Sequence, residues 1–88
     1  MADHPVTLER AWAEINEANA SLGWRVGSPY LHEEMASNPW EQYAYDPTER
    51  PKAGGRTREW TAIGRSEAQV VREMARCLRE VTAGKVPQ

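Results

Sequence analysis

The sequence predicts an α+β domain of order α-β-β-β-α, and three observations predict it. Both ends of the chain carry apolar residues at helical spacing. The middle is rich in aromatic residues that alternate with polar ones. Glycine and proline punctuate the joins between these stretches. Two one-sided helices must each bury a stripe. The expected architecture is therefore a three-stranded antiparallel sheet with both helices packed on one face. A chain of 88 residues has room for one core, so residues 1–88 read as a single domain, ordered over about 6–84.

The first helix is expected from about Thr7 to Leu22. Leu8, Ala11, Trp12, Ile15, Ala18 and Leu22 make one apolar stripe, with Glu9, Glu14 and Glu17 off it. Thr7 suits the N-cap, and Glu9 in the first turn favours the helix dipole. Gly23 stands where the chain leaving a helix takes a positive φ.

Trp24-Arg25-Val26-Gly27 reads as a short strand. Between Ser28 and Asn38 the pattern is mixed: Tyr30-Leu31 suits a strand and His32 to Met35 a turn of helix. Pro39 opens a stronger strand, Trp40 to Tyr45, and Asp46-Pro47 ends it. Thr48 to Arg56, with Pro51 and Gly54-Gly55, reads as a long hairpin loop, and Thr57 to Ile63 as the returning strand.

The last helix carries the plainest signals. Ser66 followed by Gln69 is a capping box, and Gly84 then Pro87 stop the helix after Thr82 or Ala83. Ala68, Val70, Val71, Met74, Ala75, Cys77, Leu78 and Val81 cover one broad face. Trp12, Ile15, Trp60, Val71 and Leu78 are expected in one core.

Composition narrows the function. The formal net charge is −2, so no whole-molecule attraction draws the chain to nucleic acid or to an anionic membrane. Cys77 is the only cysteine, which rules out an internal disulfide, and its place on the apolar face makes it a buried, inert thiol. His4 and His32 are the only histidines, and His32-Glu33-Glu34 lacks the second histidine of a metal-binding helix. Gly54-Gly55 belongs to a hairpin loop, not to a phosphate-binding turn between strand and helix. Asn19-Ala20-Ser21 matches a glycosylation pattern but sits inside the first helix. The expectation is a non-enzymatic chain without cofactor or metal. The N-terminus lacks the basic and apolar regions of a signal peptide, and no apolar run approaches membrane-spanning length, so a cytoplasmic protein is expected.

Three surface features remain. Arg65, Arg72, Arg76 and Arg79 fall on one side of the last helix, opposite its apolar face. This ridge is either a recognition surface or a solvated face balanced by Glu73 and Glu80; guanidinium groups suit carboxylate, phosphate and aromatic partners. Arg50, Lys52, Arg56 and Arg58 gather around the long loop, where basic residues are commonly only solubilising. With the ridge they make two candidate contacts for nucleic acid. The third feature is aromatic: four tryptophans and three tyrosines serve a chain with no phenylalanine. Strand alternation places Trp40 on the opposite face from Tyr43 and Tyr45, so aromatics occupy both faces of a sheet that helices cover on one.

The α-β-β-β-α order, with Ile63-Gly64-Arg65-Ser66 leading into an alanine-containing helix, resembles the double-stranded-RNA-binding domain. That resemblance implies duplex binding through a lysine pair early in the helix, where this chain reads Glu67-Ala68-Gln69. The runs Trp40 to Asp46, Arg58 to Ala62 and Val71 to Glu80 resemble small uncharacterised proteins of actinobacterial phages and their hosts. That resemblance implies a phage-type accessory protein acting by protein–protein contact. The sequence thus points to a small binding module with a protein partner or a second copy of itself. The alternative is a nucleic-acid-binding domain that uses the basic loop and the helix arginines.

Overall fold

The computed structural model describes residues 7–32, 37–48 and 59–84. The chain runs α1 (Leu8–Asn19), β1 (Arg25–Val26), β2 (Tyr30–Leu31), β3 (Trp40–Tyr45), β4 (Glu59–Gly64) and α2 (Glu67–Thr82). This is the expected α+β class, with helices at both ends and an antiparallel sheet between them.

The helix caps follow their local chemistry. Thr7 Oγ1 accepts from the Arg10 amide at 3.1 Å, and Ser66 Oγ accepts from the Gln69 amide at 3.2 Å. The Gln69 side chain reaches one residue further back than in a standard capping box and accepts from the Arg65 amide at 3.3 Å. Gly23 and Gly84 take positive φ, 68° and 92°, just past the two helices. The first helix ends at Asn19, earlier than the apolar stripe suggests, because residues 20–22 turn toward the sheet. Asn19 makes that turn. Its carbonyl accepts from the Leu22 and Gly23 amides, and its side chain bonds both the amide and the carbonyl of Trp24 at 2.9 and 2.8 Å. The glycosylation pattern at Asn19 is thus read out as a structural clamp.

The sheet differs from expectation in one respect: it has four strands rather than three, because Tyr30-Leu31, left open between strand and other structure, forms a strand of its own on the same edge of β3 as Arg25–Val26. β4 pairs with β3 along its whole length, from Trp40↔Gly64 to Tyr45↔Glu59. The other edge of β3 takes β1 at one end and β2 at the other. The pairings Val26↔Ala44 and Tyr30↔Glu41 leave three residues on one strand against two on the other. One extra residue there is a bulge. Gln42 holds it: the side chain is fully buried and Nε2 donates to the Gly27 carbonyl at 2.8 Å. The suggested helical turn at His32 to Met35 lies, beyond His32, outside the described residues.

The core lies on one face of the sheet. Ala11 and Ile15 of α1, six residues of α2, and Ala44 and Ala62 of the strands form a single buried cluster. Trp12, Trp24, Val26, Trp40 and Trp60 pack around it, half-buried. The expected core of Trp12, Ile15, Trp60, Val71 and Leu78 is present, with the two tryptophans at its rim. α2 lies over β3 and β4, and α1 packs chiefly against α2. Small residues on the sheet make this approach possible. A Cβ on Gly64 would stand 2.7 Å from the Val70 nitrogen, so only glycine lets the first turn of α2 sit on the end of β4.

Candidate functional site

β3 alternates, and its two sets of side chains meet different surroundings. Trp40, Gln42 and Ala44 face the core, whereas Glu41, Tyr43 and Tyr45 face away from the helices. Register extends this outer face. Tyr30 lies opposite Glu41, Arg25 opposite Tyr45, and Ile63, Thr61 and Glu59 of β4 line up beside Glu41, Tyr43 and Tyr45. Neither helix crosses it. Tyr30, Tyr45 and Ile63 remain 38%, 40% and 47% exposed. Leu31, at the edge, is 51% exposed. Among the described residues these four and Leu8 are the exposed large apolar side chains.

The centre of the face is ordered by polar contacts. The Tyr43 hydroxyl donates to Glu41 Oε1, and His32 Nε2 lies 3.0 Å from Glu41 Oε2. Tyr30 stacks on Tyr43 with centroids 5.8 Å apart and meets His32 edge-on at 4.6 Å. The Glu41 side chain is only 12% exposed within this group. The bond to Glu41 raises the Tyr43 pKa above the ordinary tyrosine value, with the Tyr30 hydroxyl and burial adding to it. Tyr43 therefore stays protonated at neutral pH. The result is an aromatic patch tied together at its centre by polar and ring contacts. Sequence alternation separated Trp40 from Tyr43 and Tyr45. It did not reveal that Tyr30 and His32 join them and Glu41, because that depends on the one-residue register change at the bulge.

The arginine ridge is real as geometry, since Arg65, Arg72, Arg76 and Arg79 are all exposed. It is not uniform as electrostatics. Arg76 Nε donates to Glu73 at 2.8 Å and Nη1 to Glu80 at 2.6 Å, and the Glu73 bond raises its pKa further. Arg79 lies 3.7 Å from Glu14 of α1. Arg65 and Arg72 have no acidic partner among the described residues; with Ile63, Gly64 and Gln69 they border a shallow groove of about 470 Å³. Half of the ridge thus serves helix–helix and intrahelical pairing. Arg50, Lys52, Arg56 and Arg58 lie outside the described residues.

Cys77 is buried in the core, and burial pushes its thiol up to about 11. Among the described residues no group of three or more His, Cys, Asp or Glu side chains could hold a metal ion. No described helix is long and apolar enough to cross a membrane. The chain matches no protein-family model, no curated protein and no solved structure.

Proposed function

We propose that the chain is a non-enzymatic protein-binding module whose recognition surface is the outer face of its sheet. One observation carries this reading. Tyr30, Tyr45 and Ile63 stand substantially exposed on a face whose centre is held by the Tyr43–Glu41–His32 contacts. Tyrosine is favoured at protein interfaces because it buries a large area with few rotatable bonds and keeps a hydroxyl for hydrogen bonding. Pre-ordering of the patch lowers the entropy lost on binding. The accessory role of small phage proteins fits such a module, on the strength of the sequence resemblance.

The test is site-specific photocrosslinking. A photoreactive amino acid at Tyr45 should give a discrete adduct with one protein in a lysate of the source cell, and the same group at Arg72 should not. Adducts from Arg72 alone would move the interface to the helix.

A second reading rests on Arg65 and Arg72, which have no acidic partner among the described residues and lie beside the groove. Nucleic acid held there would dissociate steeply as salt rises. Duplex and single-stranded RNA and DNA, titrated at two salt concentrations, decide it: no binding at low salt removes this reading.

A further inference from the structure

The two edges of the sheet are built differently. The edge formed by β1 and β2 is short, interrupted by the bulge at residues 27–29, and includes Pro29. These are features that discourage strand addition. The β4 edge has none of them. Its six residues pair without a break to β3 and contain no proline and no lysine.

Hydrogen-bond geometry fixes what that edge presents. The Tyr43 carbonyl accepts from the Gly27 amide, and the Pro39 carbonyl accepts from the His32 amide. Odd-numbered residues of β3 therefore turn their backbone groups toward β1 and β2, and even-numbered ones toward β4. Because even pairs with even between β3 and β4, the amides and carbonyls of Glu59, Thr61 and Ile63 point away from the sheet. No described strand takes them up. The next outward amide, that of Arg65, is already closed off by Gln69.

We infer that this edge pairs with a second copy of the same chain, antiparallel, about a two-fold axis at Thr61. That register sets Thr61 against the partner copy's equivalent residue and Glu59 against the partner's Ile63. All three outward pairs are then satisfied at once. The side chains agree with it. The edge carries an acid at one end, Glu59, and at the other a base without an acidic partner among the described residues, Arg65. Antiparallel self-pairing brings each acid diagonally beside the other copy's base, at a distance long side chains span. Ile63, 47% exposed in the single chain, is covered by the partner's Glu59 stem and Thr61. At the helix layer the edge is flanked by Arg72, Arg76 and Arg79 with Glu73 among them. Glu73 and Glu80 hold Arg76 and Glu14 lies beside Arg79, which leaves Arg72 as the charge the two copies must keep apart. A two-fold perpendicular to the sheet keeps both outer faces on the same side. The dimer would thus present two copies of the tyrosine patch as one surface, although the dimer itself does not depend on that patch being a binding site.

Sedimentation of the full chain over a range of concentrations tests the inference. A monomer–dimer equilibrium is expected. Thr61→Pro removes an amide that faces only the open edge, so β3 pairing survives while dimerisation weakens about thirty-fold through two lost hydrogen bonds. Circular dichroism checks that the variant folds. If it does not, Ile63→Lys serves instead, since it places a charge on the same edge without touching the backbone. Glu59→Arg and Arg65→Glu should each weaken the dimer, and the two together should restore it. Thr61→Cys should form an intermolecular disulfide under mild oxidation, whereas Arg25→Cys on the opposite edge should not. A chain that stays monomeric at its highest soluble concentration overturns the inference. So does a dimer indifferent to all the β4 variants, or an edge occupied by an unrelated protein.

Discussion

The two faces of β3 are made from alternate residues of one six-residue strand, yet they do different work. On the inner face Gln42 and Ala44 are fully buried, and small residues let α2 settle onto the sheet. On the outer face Glu41, Tyr43 and Tyr45 build an aromatic patch that neither α1 nor α2 covers. The comparison teaches that small residues stand where α2 meets the sheet, at Ala44, Ala62 and Gly64, with tryptophans at the rim of that contact, while the helix-free face carries the tyrosines. Fold stability should therefore depend on the inner face and recognition on the outer one.

Breaking the inner face should have the largest effect. Leu78 is fully buried in the central cluster, and Leu78→Ala should cost about 2–5 kcal/mol in denaturant unfolding. Gly64→Ala comes next. Its Cβ would collide with the Val70 backbone, and forcing the helix off the strand should cost about 1–3 kcal/mol. A melting temperature equal to that of the parent chain in either variant would displace α2 from the position described.

Removing the polar support of the outer face should have a smaller effect, and one that depends on pH. Tyr43→Phe deletes the hydrogen bond to Glu41 and should cost about 1 kcal/mol at neutral pH. The folded Tyr43 pKa is raised, so its stabilisation is complete below the ordinary tyrosine value, about 10, and is lost as pH rises above it. Cys77, pushed up to about 11, acts in the same direction from about pH 9. Stability measured from pH 8 to 11 should therefore fall, and fall less steeply in Tyr43→Phe.

The ridge should matter least to folding. Arg72→Gln, Arg76→Gln and Arg79→Gln together keep helix propensity and remove exposed pairs worth only tenths of a kcal/mol each. Chemical denaturation should move by less than about 1 kcal/mol. A larger loss would give the Arg79–Glu14 contact a structural role between the helices.

How far the sequence reached follows from the range of the signals. Ser66, Thr7, Gly23 and Gly84 act within a few residues of themselves, so the caps and the end of the last helix were legible. The first helix, by contrast, stops at Asn19, short of the expected Leu22, because the Asn19 side chain turns the chain toward Trp24. The last helix was legible across its width because its stripe repeats over four turns. The short strands at Arg25-Val26 and Tyr30-Leu31 were visible as candidates, but their joining across a bulge into a fourth strand was not, because a bulge is a property of two strands in register, and Gln42 gives no sign in sequence that it will cap the Gly27 carbonyl. Arg72, Arg76 and Arg79 lie exposed on α2 and Arg65 just ahead of its N-cap, but the partners of Arg76 and Arg79 change what the row of arginines can do. Glu73 and Glu80 were visible at helical spacing, whereas Glu14 comes from the other end of the chain. The tyrosine patch was half legible: alternation separates Tyr43 from Trp40, but only pairing brings Tyr30 and His32 to Glu41.

The most direct measurement of the division between the faces compares two variants in parallel, Tyr30→Ser with Tyr45→Ser and the triple arginine replacement. Each is assayed for its melting temperature and for binding to the protein crosslinked through Tyr45. The account predicts near-parental melting for both, with binding lost in the tyrosine variant and kept in the arginine variant. Binding kept by the tyrosine variant and lost by the arginine variant, at unchanged melting, would contradict it and make α2 the recognition surface.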